Sequence, residues 1–148
     1  MKTEIYVQAR TKNPATLKEA QAKWHIRCVL GNGAEETRDG TVVLKDATTK
    51  RAVLTALLEA LNKFNKAAVI RIYISDDYVR ACLINGWLGK WKANEWHKIR
   101  LNGEVMHLDL WQQISQQLSK HAVTFAHGEE LDNKTLKEME WRMNNVKK

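Results

Sequence analysis

The hydrophobic period of the chain changes near Thr48, and that change limits the folds open to it. Upstream, Trp24, Ile26, Cys28 and Leu30 alternate with His25, Arg27 and Val29, the period-two signature of a strand. Downstream, Leu54, Leu57, Leu58, Leu61 and Phe64 recur at the i, i+3, i+4, i+7 spacing of an amphipathic helix, which Thr48 or Thr49 is placed to cap. Ala67–Ile74 follows at once, short and rich in β-branched residues, and reads as a buried strand. A chain that opens on strands and then alternates helix with strand must lay those helices over a sheet.

The remaining elements follow from local chemistry. Ile5-Tyr6-Val7 predicts the first strand, broken by Asn13-Pro14-Ala15-Thr16, and the polar Leu17–Ala22 stretch predicts a loop or short turn. Gly31-Asn32-Gly33 and Arg38-Asp39-Gly40 predict turns, with a third strand over Thr41–Leu44. Asp76 stands at an N-cap position before a helix over Asp77–Ile84, and Asn85-Gly86 separates it from a helical Trp87–Ala93. Asn102-Gly103 predicts a turn, and Leu108, Leu110, Trp111, Ile114 and Leu118 mark another helix. His121–Ala126 reads as a fifth strand. From Asn133 onward the composition is helical, with Leu136, Met139, Glu140 and Met143 in its stripe and a basic Lys147-Lys148 tail. The expectation is an α/β chain in which three antiparallel strands and two crossover strands share one mixed sheet with helices on both faces.

Length and composition narrow the class. At 148 residues the chain is expected to form a single domain over 1–148, long enough to bury a core without staples. Only one proline and seven glycines occur, which excludes collagen-like and linker readings. No apolar run reaches the roughly 18 residues of a membrane span. The N-terminus shows no apolar stretch of a signal peptide, so the expected location is cytoplasmic, with no membrane partner. Cys28 and Cys82 have no metal-ligand spacing and are expected to be buried, reduced thiols. The excess of 24 Lys+Arg over 17 Asp+Glu, a net +7, is compatible with a polyanionic partner.

Several motifs then appear in order. Arg51-Ala52-Val53-Leu54 leads to Glu59-Ala60-Leu61; Ser75-Asp76-Asp77-Tyr78-Val79 ends the Ile72-Tyr73-Ile74 strand; Trp87-Leu88-Gly89-Lys90-Trp91-Lys92 precedes Trp96; Asp109-Leu110-Trp111 opens a helix; Ala126-His127-Gly128 closes the last strand. In this order the set resembles the type 1 ribonuclease H family over nearly the whole chain. The resemblance implies the ribonuclease H-like sheet described above. It also implies a two-metal site, in which four carboxylates hold two Mg²⁺ ions about 4 Å apart to cleave the RNA strand of an RNA–DNA hybrid.

Matched to the family, those four positions carry Gln8, Val53, Ser75 and, near the last helix, Lys137. Magnesium requires anionic oxygen ligands, so the expectation is a divergent member with no catalytic residues, no metal and no cofactor. What the resemblance leaves is nucleic-acid binding, to an RNA–DNA hybrid or duplex, through a basic Trp-rich protrusion: Trp87, Lys90, Trp91, Lys92, Trp96 and Lys98, extended by Arg100. Trp87 and Trp91 are four apart and share a helix face; packing of that face onto the fold is their alternative role. Thr48 matches the family's phosphate-pocket threonine, with a plain helix cap as its alternative. His127 matches a mobile-loop histidine, and Asn13 part of a turn that feels RNA 2′-hydroxyls. Two rival readings stand beside this one. Asp76, with Glu129, Glu130 or Asp132, rebuilds a Mg²⁺ or Mn²⁺ site in an active ribonuclease H. Otherwise the fold serves as a module docking a protein partner or forming a homodimer.

Overall fold

A computed structural model describes residues 2–10, 19–93, 107–131 and 133–144. Asn13 to Thr16, Trp96, Lys98, Arg100, the Asn102-Gly103 pair, Asp132 and the Lys147-Lys148 tail lie outside the described residues. The elements are β1 (Lys2–Ala9), β2 (Glu19–Val29), β3 (Glu35–Lys45), α1 (Thr49–Leu61), β4 (Val69–Ile74), α2 (Asp77–Ile84), α3 (Trp87–Ala93), α4 (Leu108–Leu118), β5 (Ala122–Phe125) and α5 (Lys134–Asn144), with a short 3₁₀ turn at Gly128–Leu131 before α5. The five strands form one mixed sheet in the order β3-β2-β1-β4-β5. β1, β2 and β3 pair antiparallel, whereas β4 and β5 run parallel to β1. The sheet class and element order match the sequence expectation. Among the described residues no helix is long and apolar enough to cross a membrane.

Alternation places two unlike layers on the sheet. Ile5, Val7, Ala22, Trp24, Ile26, Ile70, Ile72 and Ile74 face α1, whose Val53, Leu54, Leu57 and Leu61 are fully buried against them. On the opposite face Tyr6 and Tyr73 lie under Leu136 and Met139 of α5. Turn and cap chemistry sets the element ends. Thr48 Oγ1 accepts from the Arg51 N–H at 3.2 Å to start α1, and Asp76 Oδ2 accepts from the Val79 N–H at 2.9 Å to start α2. Gly33, at φ 84°, closes the β2–β3 hairpin.

Three local expectations are corrected. The Leu17–Ala22 loop is replaced, from Glu19 onward, by strand: Ala20 and Ala22 are buried under α1, small side chains continuing the inward row of Trp24 and Ile26. Arg38-Asp39-Gly40 is not a turn but the middle of β3. Gly40 pairs with Trp24, and a Cβ there would lie 2.6 Å from the Trp24 ring, so glycine serves close packing of an indole over the neighbouring strand. Cys82 is buried as expected, but Cys28 is half-buried near the end of β2, its Sγ 3.6 Å from Thr3 Oγ1.

Candidate functional site

β1 and β4 are adjacent and parallel, so their C-terminal ends open on the same edge of the sheet, where the first turns of α1 and α2 also arrive. Crevices of α/β sheets form at such places. Here a cleft of about 660 Å³ is lined by Gln8, Lys50, Ser75, Asp76, Leu136 and Glu140, among others. The structure therefore brings Gln8 and Ser75 together, as the family match implies. Each is already occupied: Gln8 Nε2 donates to the Leu136 carbonyl of α5 at 3.3 Å, and Ser75 Oγ accepts from the Ala9 N–H at 3.3 Å. Val53 is fully buried in the apolar core and does not line the cleft.

Lys137 sits on the exposed face of α5, while Leu136 and Glu140 turn toward the cleft. The reason is helical period: residues four apart share a stripe and the intervening position is rotated by about 100°. Glu140 was not among the expected site residues, although its place in the Leu136–Met143 stripe carried the signal.

Two of the carboxylates that line the cleft, Asp76 and Asp77, have partners of their own. Asp76 caps α2 through Oδ2, and its Oδ1 faces the Lys50 ammonium at 3.9 Å. Asp77 is exposed and pairs with Arg80. Glu130 pairs with Arg71 of β4 and accepts from the His127 N–H at 3.1 Å; neither it nor the exposed Glu129 lines the cleft. Arg71 and the His127 N–H hold the Glu130 carboxyl below its ordinary range. Among the described residues no three His, Cys, Asp or Glu side chains gather as a metal-holding group. At the matched positions an amide engaged as donor, a hydroxyl engaged as acceptor and a buried valine do not supply the anionic oxygens of a two-Mg²⁺ centre, so those positions do not fit that group.

A second hollow, about 490 Å³, lies beside the start of α1 and includes Thr48, Arg51, Asp46, Lys45 and His107 in its lining. Arg51 forks onto Asp109 at 2.6 and 3.2 Å, tying α1 to α4. That contact holds the Asp109 carboxyl below its ordinary range. His107 Nδ1 lies 3.4 Å from Arg51 Nη1; burial first and the Arg51 charge second push its pKa down. Thr48 is thus both a helix cap and a wall of this hollow. Nothing in the spacing of Arg51, His107 and Asp109 announced their convergence.

The protrusion separates its two described tryptophans. Trp91 is 7% exposed and packs edge-on against the buried Trp111 with ring centroids 5.6 Å apart, so it belongs to the core and is corrected as a contact residue. Trp87 is 36% exposed, lies over Trp91 at 6.2 Å, and carries the Lys90 ammonium 4.8 Å from its ring centroid. Lys92 is exposed on the same short helix. The accessible set is therefore Trp87, Lys90 and Lys92, a ring and two cations presented from a base fixed by Trp91.

Comparisons with known proteins give the family and the fold. The RNase H family profile matches residues 14–129, a span that includes Val53 and Ser75 and leaves out Gln8 and Lys137. A ribonuclease H of Francisella philomiragia is 36% identical over 95 residues, covering 64% of this chain and 60% of the relative. One from Chlorobium phaeobacteroides is 35% identical over 78 residues, covering 53% of each. The chain thus spans between half and two-thirds of the length of these relatives. Among solved structures, a type 1 RNase H with the type 2 active-site motif superposes with a TM-score of 0.70 at 19% identity, over 94% of this chain and 69% of that one. A foamy viral protease–reverse transcriptase in complex with RNA/DNA hybrid superposes with a TM-score of 0.67 at 18% identity, over 97% of this chain and 20% of that one. At those identities the likeness is one of fold.

Proposed function

Because the chain belongs to the ribonuclease H family, we infer that it is a catalytically inactive member that binds nucleic acid, an RNA–DNA hybrid or a duplex, through its basic protrusion. The observation that carries this reading is the cleft. Where the family's chemistry calls for free carboxylates, this chain puts the Gln8 amide on a helix carbonyl and the Ser75 hydroxyl on a backbone N–H. What supports binding is the exposed Trp87 flanked by Lys90 and Lys92, in a chain of net charge +7. An exposed ring offers stacking or sugar contact, and the lysines displace counterions from phosphates. The same reading assigns nucleic-acid contact to Trp96, Lys98 and Thr48, and the cytoplasm is its proposed location.

The test has two arms. The chain is expected to leave an RNA–DNA hybrid intact in Mg²⁺ and in Mn²⁺; metal-dependent cleavage product sinks the inactivity claim. It is also expected to bind that hybrid with an affinity that falls steeply with salt. Lys90→Glu with Lys92→Glu should weaken binding and flatten the logarithmic salt slope by about two. The control Lys66→Glu, at an exposed position before β4, should leave both unchanged. Equal affinity for the protrusion variant and the parent chain rejects the assigned surface.

A further inference from the structure

β3 is an edge strand with β2 as its one neighbour. It is eleven residues long, pairs with β2 without a bulge from Glu35–Val29 to Lys45–Glu19, and contains no proline. A strand at an edge turns half of its backbone N–H and C=O groups outward, and proteins blunt such edges by shortness, bulges, prolines, charged side chains or a covering element. β5, the opposite edge, is only four residues long. β3 uses none of the first three devices; it carries five charges, of both signs, whose placement sets which partner strand it accepts, and nearly all of it is exposed, including Val43 at 50%.

We propose that β3 pairs antiparallel with β3 of a second copy about a two-fold axis at Gly40, joining two five-stranded sheets into one. The register follows from symmetry. A two-fold antiparallel pair places one residue opposite itself, and only Gly40, the midpoint of Glu35–Lys45, lets the whole strand pair. In that register Glu35 faces Lys45 of the second copy, and the same pair recurs at the other end. Arg38 faces Val42, Asp39 faces Thr41, Thr37 faces Val43, and no like charges meet. Moving the axis one or two residues toward the N-terminus sets Asp39 or Arg38 against its own copy, which is unfavourable for directly opposed residues.

The charge pattern within one chain is already arranged for this continuation. On the α5 side of the sheet Glu4 pairs with Arg27 and Arg27 with Glu35; Lys45 in turn is registered opposite Glu19. Across the proposed axis the row reads Glu4, Arg27, Glu35, then Lys45 and Glu19 of the second copy, alternating in sign throughout. The residue facing itself at the centre has no side chain to clash.

The test is sedimentation of the whole chain without nucleic acid, so that it reads self-association alone. The parent chain is expected to be a dimer whose dissociation shifts to lower concentration as salt is reduced. Glu35→Lys alone opposes two lysines at each end, and Lys45→Glu alone opposes two glutamates, so each variant should sediment as a monomer. An equimolar mixture of the two restores opposite charges at both ends and should recover a heterodimer, a result that damage to either fold cannot produce. A parent chain that stays monomeric up to millimolar concentration overturns the proposal. So does a dimer that both single variants leave intact, or a mixture that does not reassociate.

Discussion

β1 is buried on both sides, yet the two sides are built by different means. Toward α1 it offers Ile5 and Val7, fully buried among leucines and isoleucines. Toward α5 it offers Glu4, Tyr6 and Gln8, which are nearly as inaccessible but polar. Glu4 accepts from Arg27 at 2.9 Å and from the Tyr73 hydroxyl at 3.1 Å, Tyr6 stacks on Tyr73 at 4.5 Å, and Gln8 holds the α5 backbone. The first side is stabilised by area removed from water and by close packing. The second is stabilised only because each buried polar group has a partner. One strand therefore carries two kinds of vulnerability: the α1 side to lost volume, the α5 side to lost partners and to changes of ionisation.

Three measurements break or sharpen that contrast. The largest effect is expected on the dry side: Ile5→Ala should destabilise by about 3–4 kcal/mol in urea unfolding, from lost transfer energy and the cavity left behind. A loss below about 1 kcal/mol would mean that the layer under α1 collapses around the gap and is not tightly packed. Next, Glu4→Leu should cost about 2 kcal/mol, because it strands the Tyr73 hydroxyl and takes a partner from Arg27. If that variant is as stable as the parent, the polar layer is replaceable by an apolar one and the contrast between the faces dissolves. The third effect is absent at neutral pH. Burial, with Glu4 adding to it, pushes the Tyr6 hydroxyl up to about 12 from 10.0, and burial raises Tyr73 as well. The folded state then keeps protons that the unfolded state gives up, so stability is fully present below pH 10 and declines as pH rises toward 12. Tyrosinate absorbance followed through that range should lag free tyrosine. Coincidence with free tyrosine would show the layer to be wetter than its geometry implies.

Legibility followed the same division. The α1 side was readable because an apolar stripe of period 3.6 over alternating strands has one folded solution; the helix, a threonine cap and the sheet class came from that pattern, although the stripe ran on to Phe64, three residues past the end of α1 at Leu61. Errors arose where a residue's role depends on a partner distant in sequence. Ala20 and Ala22 looked too small and polar-flanked for a strand until α1 was laid over them. Gly40 looked like a turn because its reason, the Trp24 ring, sits on another strand. Trp91 and Trp87 share a helix face and composition, and only the position of Trp111 decides that one is core and the other surface. At the cleft, Gln8 and Ser75 were found through motif order, but the turn of α5 that selects Glu140 over Lys137 is fixed by Met139 and Met143 packing beneath it.

The Gly40–Trp24 contact has an evolutionary corollary. The indole occupies the volume that any side chain at position 40 would need, with its Nε1 anchored on Glu59 at 3.2 Å and so unable to swing clear cheaply. A lineage can enlarge position 40 only after trimming position 24, and can restore a tryptophan at 24 only while 40 stays bare. Mutational order across these two sites is thereby constrained: each change is harmful or tolerable according to what its neighbour has already become.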